Sequence, residues 1–498
     1  MVGYPGTSPG AELGRWIEAR GIGGVKIFGW NAQDTQILAS TIKTLQEASL
    51  GRKGAIPLLV ATDQEGGWIR HVKGRSSESP GNMALGATGS ASDSYRAGYF
   101  IGKELAVLGI RMNFAPVVDL ATDPSSDIIG PRAFSQDPGE AARLGLAFAR
   151  GSLAAGVIPT AKHYPGHGAT PFDSHGVLPE IEVDQETFRA RELAPFAFLA
   201  ERKVPAMMSG HLAFPLIDPS RQPASLSRRL IQEELRDRLG YGGLLVTDDL
   251  HMAGATGDSS LAQAFEDAVR AGNDMILLSV TPDLEGGLWR RLLSLYREDE
   301  GFARRVREAA LRVLETKIAY LKPLGRQALL PSPQDAKVRL PDPEAQTFFL
   351  DLARRSATLI QGKENLPFAP KGSILVAGPY DSFLRLGAKA YPGARTFKLR
   401  SGDQMEEFRR QLAGADGVLL CIAGESQRKY AAAALDKGIP TAIVSVLSPY
   451  RVRDLGRAEA IVAVYHYAEI CLQAGLEVLK GTLRPRGELP LELKGKGK

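Results

Sequence analysis

Over roughly the first 320 residues, short apolar runs alternate with longer amphipathic stretches, and this rhythm narrows the fold more than any other property of the chain. The runs are Gly24-Val25-Lys26-Ile27-Phe28, Leu58-Leu59-Val60-Ala61-Thr62, Met112-Asn113-Phe114-Ala115-Pro116-Val117, Ile158-Pro159-Thr160-Ala161, Ala206-Met207-Met208-Ser209, Leu244-Leu245-Val246-Thr247 and Met275-Ile276-Leu277-Leu278. Most have the length of a strand covered on both faces, which reads as a continuous apolar run because neither side meets water. Residues 1–4 are expected to add a very short eighth strand. Helices are expected at 92–108, 139–155, 185–201, 227–239 and 260–272. Eight strands alternating with helices imply an α/β fold of the TIM-type (β/α)8 barrel kind over residues 1–320.

The remainder is too long to belong to the same core, since single cores stop growing at about 250–300 residues. Residues 321–344 carry several prolines and few periodic apolar positions, and are expected to be a linker. Residues 345–498 repeat the buried-strand signal at Ile374-Leu375-Val376-Ala377, Val418-Leu419-Leu420-Cys421, Ala442-Ile443-Val444-Ser445 and Ile461-Val462-Ala463-Val464. A smaller α/β sandwich is expected there, ending in a disordered tail at 494–498.

Bulk properties remove several classes of function. The formal net charge is only +5, and basic and acidic residues are interspersed, so nucleic acid is not an expected partner. No apolar run approaches the ~18 residues of a membrane span, so no membrane insertion is expected. The two cysteines, Cys421 and Cys471, lie in apolar stretches at a spacing that fits neither a disulfide framework nor a zinc motif. Such thiols suit a reducing compartment. The first residues lack a basic region followed by an apolar core, so a cytoplasmic location is expected, and a secreted form with a removed leader is also compatible.

Barrel enzymes place their chemistry at the C-terminal ends of strands. Here those ends carry Asp63, Lys162-His163, His211 and Asp248-Asp249. Asp248 directly follows a buried run and should point into the barrel mouth, where a carboxylate suits nucleophilic attack on a sugar carbon. Asp249 should point the other way and hold a loop. A second centre is the stretch Lys162-His163-Tyr164-Pro165-Gly166-His167-Gly168-Ala169-Thr170-Pro171-Phe172-Asp173-Ser174-His175-Gly176, too rich in Gly and Pro for a helix interior. Asp173 and His175 are spaced so that the carboxylate can bond one ring nitrogen and leave the other for proton transfer. His163 and His167 have the spacing of helical zinc ligands, but Pro165 and Gly166 break the helix that would align them, so no metal or other cofactor is expected.

These residues resemble glycoside hydrolase family 3, in its β-N-acetylhexosaminidase branch. Residues 162–175 resemble that branch's Lys-His-Phe-Pro-Gly-His-Gly…Asp-Ser-His signature. Asp248-Asp249-Leu250 with Met252 is similar to its nucleophile segment, and Asp63-Gln64-Glu65-Gly66-Gly67 to its sugar-binding segment. Asn113-Phe114-Ala115-Pro116-Val117-Val118-Asp119 and Gly130-Pro131-Arg132-Ala133-Phe134 are further matches, and residues 481–490 resemble its closing segment. The resemblance implies a retaining, exo-acting enzyme that removes terminal N-acetylglucosamine from peptidoglycan fragments or chitooligosaccharides. Asp248 would be the nucleophile, and His175 held by Asp173 the acid and base. Asp63, Arg132, Lys162 and His163 would bind sugar hydroxyls, His211 would line the pocket, and Asp119 would be structural. The branch carries Arg eight residues after the sugar-binding aspartate; this chain has His71 there, with Arg70 just before it, so either could take up that contact. A phosphorylase, a β-glucosidase or β-xylosidase of the same family, and a non-catalytic sugar-binding protein are the alternatives. A glycan is the expected partner, and the sequence sets no oligomeric state.

Overall fold

The computed structural model describes residues 1–257, 259–283 and 285–493. The expected disordered tail, 494–498, lies outside the described residues.

The apolar runs become the staves of a parallel barrel. β1 (Gly24–Ile27), β2 (Leu59–Thr62), β3 (Met112–Asn113), β4 (Ile158–Tyr164), β5 (Ala206–Ser209), β6 (Leu244–Asp249) and β7 (Met275–Leu277) form one sheet in chain order. Every neighbouring pair is parallel. The sheet closes through a short segment centred on Val2, which bridges Val25 on β1 and Leu278 just past β7. Lys26 N–H donates to Val2 O at 3.0 Å, and Gly3 N–H donates to Leu278 O at 2.8 Å. Residues 1–4 thus supply a bridge rather than a full strand. Pro5 has no N–H with which to continue the ladder.

Strand alternation decides which side chains enter the barrel. Leu59, Ala61, Met112, Phe114, Ile158, Ala206, Met208, Leu244, Val246, Met275 and Leu277 share one apolar cluster inside it. Their odd-numbered or even-numbered partners, such as Val25, Ile27 and Val60, pack outward against helices. Continuing the inward set along each strand puts Lys26 on β1, Asp63 after β2, Lys162 on β4 and Asp248 on β6 at the C-terminal mouth.

The helices form for local reasons as well. α1 (Thr35–Leu50) starts where the Asp34 carboxylate accepts from the N–H groups of Gln36 and Ile37. It buries Leu38, Ile42, Leu45 and Ser49 at helical spacing. α2 (Ala91–Val107) and α3 (Pro138–Ala154) cross closely because Gly98 faces Phe148 O and Gly151 faces Tyr95 O, with no room for a β-carbon at either position.

Residues 321–344, expected to be a linker, hold three short helices including Pro333–Arg339, and Pro333 lies at that helix's first turn, where its missing N–H costs nothing. Ala336 and Leu340 are buried in the same cluster as α1. Beyond them a six-stranded sheet forms from β8 (Thr358–Gln361), β9 (Ile374–Gly378), β10 (Arg395–Lys398), β11 (Gly417–Ile422), β12 (Thr441–Ser445) and β13 (Ala460–Ala463), in the order β8-β13-β12-β11-β9-β10. It is mixed: β8 runs antiparallel to β13 while the other pairs are parallel.

This second unit grips the barrel at specific points. Tyr450 donates to Ala121 O at 3.0 Å and packs with Ile129 and Ala133. Arg451 pairs with Asp127, and Arg355 with Asp93. The closing segment returns to the barrel, where Pro490 O accepts from Ser135 Oγ at 2.8 Å and from Gln136 N–H at 3.1 Å.

Candidate active site

At the barrel mouth the inward-pointing charges form one continuous network. Asp63 is held between two ammonium groups, Lys26 on one oxygen and Lys162 on the other. Lys162 also reaches Glu65 Oε1 at 2.7 Å. Glu65 receives a two-pronged pair from Arg132, with Nε to Oε2 and Nη2 to Oε1 both at 2.8 Å. Arg132 Nη2 then donates to His163 Nε2 at 3.3 Å, and His163 Nδ1 donates to Asp119 Oδ2 at 2.6 Å. Asp119 further accepts from the backbone N–H of His163 and of His167. Because guanidinium can only donate, His163 Nε2 is an acceptor and its proton sits on Nδ1.

The network balances three cations (Lys26, Lys162, Arg132) with three carboxylates (Asp63, Glu65, Asp119), which is what makes burial tolerable. Its oxygens differ in access: Glu65 is 1% exposed, whereas Asp63 retains 18%. Asp63 is therefore the carboxylate with room to accept from a ligand. Burial pushes Asp63 up, but Lys162 and Lys26 outweigh this and hold it well below the ordinary carboxylate range. Lys162, opposed by burial, is raised by Asp63 and Glu65. His71 is pushed down to about 4 by burial and by Lys26, so it is neutral near pH 7.

Asp248 ends the inward column of β6 and accepts from the Asp249 N–H at 2.9 Å. Strand alternation turns it into the same mouth as Lys26, Asp63 and Lys162, and its charge favours the protonated forms of Lys26 and His211. Asp249 has the loop-holding task expected of it, accepting from the N–H groups of His251 and Ser279. The Asp173–His175 pair lies on the exposed loop after β4. Asp173 Oδ1 accepts from the His175 backbone N–H at 2.9 Å and from ring Nδ1 at 2.7 Å. Partial burial raises Asp173, but these two bonds prevail and lower it. The bond to Nδ1 leaves Nε2 for proton transfer. His175 is 68% exposed, in contrast to the buried network. The loop is anchored beside β6: Ser174 O accepts from Gly254 N–H at 3.0 Å, in the one-turn helix Ala253–Thr256 that follows that strand.

Asp63, Lys162, Arg132 and His163 thus come together in one network, with Asp248 beside it and the Asp173–His175 loop docked on the segment after β6. His211 is fully buried, with Nδ1 2.7 Å from Ser225 Oγ and Nε2 donating to Asp249 O at 3.0 Å. Both nitrogens are used, so it braces the backbone after Asp248. Of the two residues that could replace the missing Arg, His71 faces Asp63 at 3.8 Å. Arg70 does not join the cluster, because Glu78 at 2.6 Å and the Ser76 and Ser77 carbonyls hold its guanidinium elsewhere. Two members of the network were not singled out from sequence, Lys26 and Glu65. The available signal was an ionisable residue inside an otherwise apolar strand, and a second acid next to Asp63. Asp119, read as structural, is buried and orients His163. A cavity of about 640 Å³ lies elsewhere, among Trp16, Trp289, Leu292 and Phe302, and none of the network residues lines it.

Known proteins resemble the chain in sequence and in fold. Residues 3–316 match the sequence model of the family described as "Glycosyl hydrolase family 3 N terminal domain". The chain is similar to β-hexosaminidase A of Pseudoalteromonas piscicida, 37% identical over 284 residues, which is 54% of this chain and 48% of that protein. The chain thus spans about half the length of that relative. It is also similar to the β-hexosaminidase of Idiomarina loihiensis, 36% identical over 282 residues, covering 56% of this chain and 82% of that one. Among solved structures, a glycoside hydrolase family 3 β-N-acetylglucosaminidase from Paenibacillus sp. str. FPU-7 superposes with a TM-score of 0.89 at 28% identity, over 99% of this chain and 97% of that chain. With the fold and the matched length in agreement, the chain belongs to glycosyl hydrolase family 3 and is a glycoside hydrolase.

Proposed function

We propose that this chain is a retaining, exo-acting β-N-acetylhexosaminidase that releases terminal N-acetylglucosamine from peptidoglycan fragments or chitooligosaccharides. The observation that carries the reading is a strand-end carboxylate, Asp248, with a hydrogen-bonded Asp173–His175 pair on a loop anchored to the residues that follow it. The names borne by similar proteins, β-hexosaminidase and β-N-acetylglucosaminidase, support the choice of sugar.

In this reading residues 1–320 are the catalytic unit and residues 345–498 a supporting one. Asp63, Arg132, Lys162 and His163 hold the terminal sugar. Asp248 attacks the anomeric carbon and forms a glycosyl-enzyme as the glycosidic bond breaks. His175 gives its Nε2 proton to the departing oxygen, while Asp173 fixes the ring through Nδ1. Nε2, now unprotonated, takes a proton from water as that water attacks the anomeric carbon and Asp248 leaves. Among the described residues no helix is long and apolar enough to cross a membrane. Cys421 and Cys471 are buried free thiols, which suits a cytoplasmic enzyme.

A panel of nitrophenyl β-glycosides, run with and without phosphate, tests the reading. Preference for the N-acetylglucosaminide with no need for phosphate is the expected result. Preference for glucoside or xyloside would replace the sugar, and glycosyl phosphate as product would replace water as the acceptor. Sugar binding without turnover would make the chain a binding protein.

A further inference from the structure

Lys26 belongs to β1, whose neighbours Val25 and Ile27 pack outward, so it is the one long side chain of that strand sent into the barrel. There it is 1% exposed, and its ammonium lies 4.7 Å from the Phe28 ring and 5.1 Å from the Phe114 ring. Two aromatic faces partly replace lost hydration. Its polar contacts are Asp63 Oδ2, the Ile27 carbonyl at 3.4 Å and His71 Nδ1 at 3.3 Å. His71 itself stands 3.8 Å from the same Asp63 oxygen. Lys26 and His71 therefore converge on one carboxylate oxygen, and only Lys26 brings a charge to it.

We infer that Lys26 is a positioning residue for sugar binding: it pins Asp63 from the side opposite Lys162, so that the partly exposed carboxylate meets a sugar hydroxyl in a fixed orientation. Without it, Asp63 would keep one cationic partner and turn toward Lys162. The inference rests on the proposed role of Asp63 in holding the terminal sugar. Because His71 reaches the same oxygen, an arginine there has the length to take over the task.

The test compares unmodified enzyme with K26M, K26R, K26Q, H71R and the double variant K26M/H71R. Each is measured for kcat and KM on the best nitrophenyl glycoside, for Kd by calorimetric titration with N-acetylglucosamine, glucose and xylose, and for melting temperature. K26M should raise KM and sugar Kd by about 100-fold with a smaller change in kcat, as expected when a ground-state contact is lost. K26R should stay within about fivefold of the unmodified enzyme, and H71R should recover at least tenfold of the loss in K26M. Unchanged Kd in K26M, or a loss that neither K26R nor H71R relieves, overturns the inference. Should K26M fail to fold, K26R against K26Q carries the same comparison: a tenfold advantage of K26R in Kd supports the inference and equal values overturn it. An unmodified chain that binds a sugar but turns nothing over defeats the hydrolase reading alone, because the Lys26 comparison is still read in Kd.

Discussion

Asp248 and His175 occupy different environments, so their removal should have different signatures. Asp248 ends a buried strand at the barrel mouth, and in the proposed mechanism its replacement removes the covalent step. Asp248→Asn should lower kcat by roughly 10³-fold or more while sugar Kd moves little, checked by titration of the same preparation. His175 stands in an exposed loop, and His175→Ala should cost about 10²–10⁴-fold. The loss should be larger for substrates with poor leaving groups, since only these need a proton delivered to the departing oxygen. Equal losses across leaving groups would remove His175 from the acid role. Other residues of the mouth hold each other. Arg132 shows this, since Glu65 has no access to water and would be left as a buried, half-paired charge without it.

At the scale of elements, the junction between the dyad loop and the segment after β6 is the sensitive one. A β-carbon on Gly254 would come within 2.8 Å of Ser174 O, 3.0 Å of Val177 O and 3.2 Å of His211 Cβ. Gly254→Ala should push the loop outward and lower kcat by about 10–100-fold, the range for a misplacement of roughly 1 Å, with sugar Kd nearly unchanged. A matching rise in Kd would mean that the alanine disturbed the buried network instead. Such a junction is not visible in sequence, because the two segments are distant in the chain and glycine gives no polar signal. The barrel staves were legible, as each lies in a short, largely apolar run, and four strands of the second sheet were legible for the same reason. β8 and β10 were not: both are partly exposed, and β10 reads Arg395-Thr396-Phe397-Lys398, a pattern that suits an edge or a loop equally well. Among site residues, those at strand ends could be placed by the barrel rule. Lys26 could not, since only the closed barrel shows that alternation brings it to Asp63. Arg70 offered the right charge at nearly the right position, but Glu78 and two carbonyls capture it locally.

At the scale of the molecule, two features should govern stability. The second unit supports the loop that carries Arg132, because Tyr450 packs with Ile129 and Ala133 and bonds Ala121 O. Tyr450→Ala should destabilise the protein by about 3–5 kcal/mol, the cost of deleting a buried aromatic ring, and raise KM through Arg132. A stability loss with unchanged KM would show that the support does not extend to the site. The second feature is neutral buried imidazole. Burial holds His71 and His167 at about 4 and His466 at about 3, aided by Lys26, His163 and Arg70 respectively. Below about pH 6.5 the unfolded chain binds protons that the folded chain refuses, so stability falls as pH drops. The loss should be roughly 1.4 kcal/mol per pH unit for each of these histidines until folded-state protonation ends it, near pH 4 for His71 and His167 and near pH 3 for His466. Carboxylates lowered in the fold, such as Asp63 and Asp119, add losses of the same sign at lower pH. Denaturant midpoints from pH 7 to pH 4.5 check this, and a flat profile would contradict neutral burial.

The bridge at Val2 gives the molecule a seam. Every other junction around the ring is stitched by neighbouring strands, whereas here the three-residue segment Met1–Gly3 joins the first stave to the last, and its Val2 carbonyl receives the backbone N–H of Lys26. Breathing of the ring should begin there. The seam would then loosen the stave from which Asp63 takes one of its two clasps, and a bound sugar, by tightening that clasp, should slow amide exchange along a join it never touches.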